Sequence, residues 1–202
     1  MFYKVIRFIF VVYLKMFNSW QVKGKENIPQ HGSAVLIANH VSLWDPVIFA
    51  CSTNRTVHFM AKEELFKIPI IGKIFPILYA FPIKRGQADR NALRIAGKLL
   101  NSGKVLGLFP EGTRSKTGDL LPFHPGAALF ALRSGSPIIV MYIDGSKTTF
   151  PLSWRGKIKV NISKPKYYED LYEKKVTTDD LEMVTSDIME EMKRLQKDVQ
   201  NF

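Results

Sequence analysis

The chain has 202 residues, of which 46% are hydrophobic, and it carries a formal net charge of +11 at pH 7. This apolar content excludes a disordered protein, and the length suits one domain with a substantial core. The single cysteine, Cys51, excludes an internal disulfide and lies in an apolar stretch that predicts burial rather than nucleophilic chemistry. The four scattered histidines form no metal-binding motif, so no metal site is predicted.

The positive charge is concentrated in the first part of the chain. Residues 1–166 contain 24 Lys and Arg against 8 Asp and Glu, whereas residues 167–202 contain 5 against 10. A basic body fits nucleic acid, an anionic membrane or phosphorylated substrates as partners. The aromatic residues cluster in apolar runs instead of alternating with exposed cations, which argues against nucleic acid.

The N-terminal segment, residues 2–17, is apolar apart from Lys4, Arg7 and Lys15. On a helix these three cations project within an arc of about 80°. The uninterrupted apolar run, residues 8–14, is far shorter than the ~20 residues needed to cross a bilayer, and no small-residue cleavage site follows. We therefore predict a monotopic interfacial helix, with an ordinary helix packed on the core as the alternative.

After this interfacial unit, residues 1–19, one further domain is predicted over residues 20–202. Strand patterns occur at residues 34–38, 105–109, 137–143 and 158–162. Helical patterns occur at residues 45–52, 89–102, 125–134 and 178–199. Their alternation is typical of a single layered α/β domain with a largely parallel central sheet, whose functional sites lie beyond the carboxyl ends of strands.

His40 and Asp45 follow the first predicted strand and lie five residues apart. One continuous helix would separate their side chains by about 140°, whereas a strand end followed by a turn can bring them together. Asp45-Pro46 predicts a helix start with Asp45 at the N-cap. Asp45 would then accept a hydrogen bond from one ring nitrogen of His40 and leave the other free to act as a general base. A polar loop contact is the alternative.

The second strand pattern, residues 105–109, leads into a loop with groups suited to binding an anion. Arg114 offers a planar fork of donors for a phosphate, Thr113 a hydroxyl, and Gly112 a close backbone approach. Arg85, at the end of an earlier apolar stretch, is placed to bind the same anion. A turn that carries these residues for solubility is the alternative.

Together these segments resemble the PlsC-type acyltransferases of phospholipid biosynthesis, which make phosphatidic acid from lysophosphatidic acid. His40 and Asp45 match the family's His-x4-Asp motif, and Arg85 matches the arginine that closes its second motif. Residues 109–115 match the third motif in full, and residues 137–139 match the opening of the fourth.

The resemblance covers roughly residues 20–165 and includes two departures. Tyr79 stands where the second motif usually has glycine, and Val140 stands where the fourth usually has proline. Neither departure removes a reacting group.

The resemblance implies direct acyl transfer without a covalent acyl-enzyme. His40, oriented by Asp45, takes the proton from the free sn-2 hydroxyl of 1-acyl-glycerol-3-phosphate as that oxygen attacks an acyl thioester. Arg85 and Arg114, with Thr113, hold the acceptor phosphate. Either acyl-CoA or acyl carrier protein is expected as the cosubstrate that donates the acyl chain, and no cofactor is expected.

Two roles are open for Glu111. The resemblance implies that it orients an arginine or the acceptor; alternatively it pairs with Arg114 and keeps the loop rigid. Backbone amides near His40 or Gly112 are the candidate donors to the oxyanion.

The apolar segment over residues 59–81 lies between the predicted base and Arg85. It is expected either to join the core or to line a tunnel for an acyl chain, since each buried methylene contributes about 0.8 kcal/mol. Lys62, Lys67 and Lys73 interrupt the segment and are expected to face anionic lipid headgroups or solvent.

Anionic substrates and an apolar N-terminal helix together predict a monotopic or peripheral protein at the cytoplasmic face of the cell membrane. The expected partners are an anionic membrane surface, lysophosphatidic acid and an acyl-CoA or acyl carrier protein. Two alternatives remain open: an acyltransferase that acts on glycerol-3-phosphate or another lysophospholipid, and a non-catalytic lipid-binding protein.

Overall fold

The computed structural model describes residues 2–84, 89–149, 156–172 and 174–201. In these residues seven strands alternate with helices: β1 (Ser19–Lys23), β2 (Ala34–Ala38), β3 (Val57–Lys62), β4 (Ala80–Ile83), β5 (Val105–Leu108), β6 (Ile138–Asp144) and β7 (Lys157–Ile162). The helices are α1 (Phe2–Phe17), α2 (Asp45–Cys51), α3 (Glu63–Phe66), α4 (Pro69–Ile77), α5 (Arg90–Asn101), α6 (Gly126–Ser134), α7 (Ser146–Thr149), α8 (Glu169–Tyr172) and α9 (Thr178–Gln200).

The seven strands form one sheet in the order β1-β7-β6-β2-β5-β3-β4. The five strands from β6 to β4 are mutually parallel, β7 is antiparallel to β6, and β1 pairs parallel with β7. All five residues of the central strand β2 are buried, which agrees with its uninterrupted apolar sequence. The predicted α/β architecture with a largely parallel sheet is confirmed.

Helices cover both faces of the sheet. One face packs against α5, α6 and α9, and the other packs against α1 and α2. The predicted packing helix at the C-terminus is α9, whose buried side chains recur at helical spacing: Val184, Ile188, Met192, Leu195 and Val199. Cys51 is buried as expected, and this burial raises the pKa of its thiol to about 12.

The four predicted strands and the four predicted helices of the second domain are present, with ends that agree within one or two residues. Strands β1, β3 and β4 were not predicted. β1 is a short edge strand that alternates between exposed and half-buried residues. β4 is the opposite edge strand and contains Pro82, which an edge tolerates but which obscures a strand pattern.

Helix α1 has one face packed on the protein and one face exposed. Tyr3, Arg7 and Leu14 project inward within an arc of about 40°, and Leu14 is fully buried. The opposite face carries exposed apolar side chains within an arc of about 120°: Phe2, Val5, Phe8, Ile9 and Met16. Along the described chain, every helix is too short or too polar to cross a membrane.

The cationic stripe predicted on α1 is wrong for one of its three members. Lys4 and Lys15 are exposed, at the border of the apolar face. Arg7 instead donates to the carbonyls of Ala50, Cys51 and Thr53, where α2 ends. The last carbonyls of a helix lack intrahelical partners, so they draw this guanidinium towards the protein.

Candidate active site

The candidate site lies where β2 and β5 end. These strands are parallel neighbours, and Ile37 is in register with Leu108. The residues that follow the two strands therefore meet at one edge of the sheet. His40 comes from the loop after β2, and Phe109 with the loop from Pro110 comes from the end of β5.

His40 and Asp45 are brought together as predicted. The ring Nδ1 of His40 lies 2.8 Å from Oδ2 of Asp45. The Asp45 side chain is fully buried, whereas the side chain of His40 keeps 13% of its surface exposed. A carboxylate on Nδ1 favours the tautomer with the proton on that nitrogen and leaves Nε2 as an acceptor. The pair therefore has the geometry of a general base and its orienting acid.

The position predicted for Asp45 in its helix is wrong by one residue. Trp44 is the N-cap of α2, and Asp45 is the first helical residue. Its Oδ2 is already engaged by the backbone N–H groups of Val41 and Ser42, at 2.6 and 2.7 Å. One carboxylate oxygen thus binds both the histidine ring and two backbone amides of the loop that carries it.

A cluster of aromatic side chains packs against the histidine ring. Phe109 stacks on His40 with ring centroids 4.2 Å apart. Phe49 meets the edge of Phe109, and Phe59 stacks behind it at 6.2 Å. A Cβ at Gly107 would lie 2.7 Å from the Phe59 ring, so this strand needs glycine to admit the cluster. The stacked Phe109 ring opposes tilting of the His40 ring out of its plane.

Asn39 anchors the start of the histidine loop. Its side-chain amide donates to the carbonyl of Ile143 at 3.0 Å and accepts from the amide of the same residue at 2.8 Å. The side chain thereby adds one more pair of hydrogen bonds between β2 and β6, beyond the last backbone pair. Neither Asn39 nor Phe109 was assigned a role from the sequence, although Asn39 precedes His40 and Phe109 is the first residue of the third motif.

Glu111 joins the two loops of the site through their backbones. It is buried, and its two carboxylate oxygens accept from the amides of His40 at 2.9 Å and Leu121 at 3.2 Å. The amide of Ser115 donates to the carbonyl of His40 at 2.8 Å and forms a second link. Burial raises the pKa of Glu111, and the two amide hydrogen bonds oppose that shift. Its hydrogen bonds in the described structure go to backbone amides and not to Arg114.

The anion-binding residues predicted in the second loop lie next to the histidine loop. Thr113 and Arg114 are exposed, and Arg114 forms no ion pair with the described residues. Gly112 has φ +65°, and a Cβ added there would lie 3.1 Å from the ring of His124. Glycine is therefore favoured at this turn both by conformation and by space. Arg85 lies outside the described residues.

The two departures from the family motifs have structural counterparts. Tyr79 has φ +60°, the left-handed conformation that glycine adopts most readily, so the backbone keeps a glycine-like path. Its ring contacts Tyr3 and His58, with centroids 5.4 and 5.1 Å away. Val140 donates its amide hydrogen to Oγ of Ser163 at 2.9 Å, a bond that proline cannot make.

A cavity of about 780 Å³ lies away from these residues, between the end of β7 and helix α9. Two of its cations are paired: Lys166 with Asp187 at 2.6 Å, and Arg194 with Glu191 and Asp198. Since this cavity adjoins the amino end of β6, it lies at the opposite edge from His40.

The oriented histidine at the strand edge, with a cationic loop beside it, is a candidate acid–base site on an α/β fold. A family model described as "Acyltransferase" matches residues 19–144. The chain belongs to this acyltransferase family.

Curated relatives and a solved structure extend the comparison. The chain is 30% identical to the 1-acyl-sn-glycerol-3-phosphate acyltransferase of Streptococcus pneumoniae, over 100% of this chain and 76% of the relative. It is 29% identical to the Bacillus subtilis enzyme of the same name, over 79% of each chain. The crystal structure of the acyltransferase PlsC from Thermotoga maritima matches with a TM-score of 0.75 and 28% identity, over 98% of this chain and 78% of that one. A chloroplastic relative from Brassica napus, BAT2, is longer, and the match spans 46% of it.

Proposed function

We propose that this acyltransferase transfers an acyl chain from an acyl thioester to the free sn-2 hydroxyl of 1-acyl-glycerol-3-phosphate and so forms phosphatidic acid. The observation that carries the proposal is the 2.8 Å contact between His40 and Asp45 at the edge of the sheet. The names of the S. pneumoniae and B. subtilis relatives support the choice of acceptor.

His40 acts as the general base in this mechanism. Its Nε2 takes the hydroxyl proton while the hydroxyl oxygen bonds to the thioester carbon, and the carbonyl electrons move onto oxygen. Asp45 stabilises the imidazolium that forms. When the tetrahedral intermediate collapses, the carbon–sulfur bond breaks and the thiolate takes the proton from His40. The acyl chain passes directly to the acceptor, so no residue of the chain becomes acylated.

Arg114 and Thr113 hold the acceptor phosphate together with Arg85. The exposure of Arg114 and its freedom from the described carboxylates leave its donors available for an anion. Glu111 positions the loops through backbone hydrogen bonds and thereby sets the distance between the phosphate site and His40. Amides near Gly112 and the His40 loop supply donors to the oxyanion.

The donor substrate is an acyl-CoA or an acyl carrier protein, and the acyl chain lies along the segment from β3 to β4. The half-buried side chains of this segment supply the apolar contacts: Leu65, Phe66, Ile71 and Phe75. No cofactor enters the proposed reaction, because a thiolate leaves readily without one.

Helix α1 holds the enzyme on the cytoplasmic face of an anionic membrane. Its exposed apolar face suits the acyl boundary of one leaflet, and Lys4 and Lys15 lie at the border of that face, where headgroups would be. This placement brings the active-site edge to an acceptor that is itself a lipid.

The test is thiol release from acyl-CoA by the purified full chain, with lysophosphatidic acid, with glycerol-3-phosphate, and with neither. We expect release that needs lysophosphatidic acid and disappears in His40→Ala. Release with glycerol-3-phosphate would reassign the acceptor, and release without an acceptor would indicate a thioesterase. If neither acyl-CoA nor acyl carrier protein supports release, the chain is a lipid-binding protein instead.

A further inference from the structure

The two short helices between β3 and β4, which are α3 and α4, are less buried than α2, α5, α6 and α9. Neither α3 nor α4 has a buried residue, whereas the other four all do. Four isoleucines of this hairpin are instead exposed: Ile68 43%, Ile70 72%, Ile74 38% and Ile77 48%. Ile70, Ile74 and Ile77 follow helical spacing, so they share one face of α4.

The exposed face belongs to a fixed hairpin rather than to a loose loop. The rings of Phe66 and Phe75 meet edge to face with centroids 5.5 Å apart. A Cβ at Gly72 would lie 2.0 Å from the carbonyl oxygen of Phe66, so the two helices approach as closely as glycine permits. The hairpin, residues 63–77, therefore presents its isoleucines outward while its aromatic residues pack inward.

The hairpin also lies near the first turn of α1. Tyr79, two residues after α4 ends, contacts Tyr3 in the first turn of α1, with ring centroids 5.4 Å apart. The exposed side chains of α1 begin at Phe2, on the turn that holds Tyr3. Lys67 and Lys73 are exposed on the hairpin, as Lys4 and Lys15 are on α1.

We infer that the α3–α4 hairpin is a second lipid-contacting element, which enters the same anionic leaflet as α1. The inference rests on the proposed function, which supplies the membrane. Isoleucines bordered by lysines match a layer with an apolar interior and anionic headgroups. A second copy of the chain on this face would oppose Lys67 and Lys73 with the same lysines, because a two-fold contact brings identical patches together.

Two anchoring elements fix the orientation of the protein on the membrane, which a single helix leaves free. A lone interfacial helix can roll about its own axis, whereas a helix and a hairpin in one leaflet define a plane. The hairpin begins directly after the carboxyl end of β3, at the edge of the sheet that carries His40. Its immersion therefore holds the active-site edge against the lipid surface.

The first experiment places a fluorescent label on the hairpin. Cys51 is buried, and burial raises its thiol pKa to about 12, so an added exposed cysteine is labelled selectively. Ile70→Cys, labelled with an environment-sensitive dye in the full chain, is mixed with phosphatidylglycerol vesicles that carry quenchers on their acyl chains. We expect quenching at position 70 and none for Met183→Cys, a matched control on α9 with an exposed apolar side chain. Quenching of labelled Phe8→Cys without quenching at position 70 would overturn the inference.

A second experiment measures the vesicle affinity of Ile70→Asp, with Met183→Asp as the control. Since both side chains are exposed, their thermal unfolding should match that of the parent. We expect the affinity of Ile70→Asp to fall at least about tenfold and that of Met183→Asp to stay unchanged. Unchanged affinity of Ile70→Asp would contradict the inference, and a simultaneous loss of dimer in sedimentation would identify the face as a contact between copies.

The outcomes also separate this inference from the proposed reaction. Thiol release by the parent chain, with a short-chain lysophosphatidic acid dissolved below its micelle concentration, tests the reaction without a membrane. If the parent releases no thiol from any donor while label 70 is quenched, the reaction is wrong and the hairpin still binds lipid. If the parent releases thiol and label 70 stays unquenched, the reaction stands and the hairpin role is lost.

Discussion

Replacing Asp45 by asparagine separates two effects of the carboxylate on His40. One is the hydrogen bond that selects the tautomer, and the other is the negative charge. All three donors, the ring Nδ1 of His40 and the amides of Val41 and Ser42, meet the same oxygen, Oδ2. The other oxygen, Oδ1, is buried without a hydrogen-bond partner in the described structure. In Asp45→Asn the two amides hold the side-chain oxygen at the Oδ2 position, and the new NH₂ group falls where Oδ1 was.

The asparagine oxygen therefore still accepts from Nδ1–H, so the tautomer of His40 is kept and only the negative charge is lost. A hydrogen bond to a charged group contributes about 1.5–3 kcal/mol, compared with about 1 kcal/mol for a neutral one. The difference of about 0.5–2 kcal/mol predicts that the maximal rate falls roughly 2- to 30-fold, since each 1.4 kcal/mol is about tenfold.

The measurement is single-turnover acyl transfer at saturating lysophosphatidic acid, with His40→Ala as the baseline and thermal unfolding as the check on folding. The Michaelis constant for the acceptor should change little, because the phosphate site is untouched. A rate as low as that of His40→Ala would show that the tautomer is lost and would refute the single-oxygen argument. An unchanged rate would remove Asp45 from the chemistry.

Three further predictions concern Arg114 and Glu111, in the loop beside His40, and Tyr79, in the turn before β4. Arg114→Ala should raise the Michaelis constant for the phosphorylated acceptor about tenfold or more, with partial recovery in Arg114→Lys; a change confined to the donor's constant would contradict its role. Glu111→Gln should lower the free energy of unfolding by about 1–3 kcal/mol at neutral pH, because its NH₂ group must face one of the two amide donors. Burial raises the folded-state pKa of Glu111 above its unfolded value, so this carboxyl costs stability as pH rises from the unfolded to the folded pKa; denaturant titrations should show that loss in the parent and not in Glu111→Gln. Tyr79→Gly should be more stable than Tyr79→Ala by about 1 kcal/mol, because φ is +60°; the opposite order would argue against the left-handed conformation.

The central strands and the contact between His40 and Asp45 were predictable because their signals are local. The apolar run at residues 34–38 specifies a buried strand wherever it lies in a sheet, and a turn after it brings His40 and Asp45 together. The partners of Glu111 were not predictable in the same way. They are the backbone amides of His40 and Leu121, and only the order of the strands makes these groups neighbours.

The misassigned residues show what the sequence leaves open. Helical spacing places Arg7 within about 80° of Lys4 and Lys15, but spacing does not tell which side of the helix meets the protein. That choice depends on the free carbonyls at the end of α2, which periodicity does not reveal. The same holds for Phe109, whose role under the histidine ring follows from the pairing of β2 with β5.

The pairing of β1 with β7 has a consequence for how the protein is made. Ser19 is in register with Lys157. The first strand therefore joins the sheet only after almost the whole domain has been synthesised. At about 5–20 residues per second, the ribosome needs on the order of ten seconds to deliver β7 after β1 has emerged. During that interval α1 lacks the β-sheet anchor that follows it, while its apolar face is already complete. The apolar face of α1 is therefore exposed on the nascent chain before the domain that follows it closes.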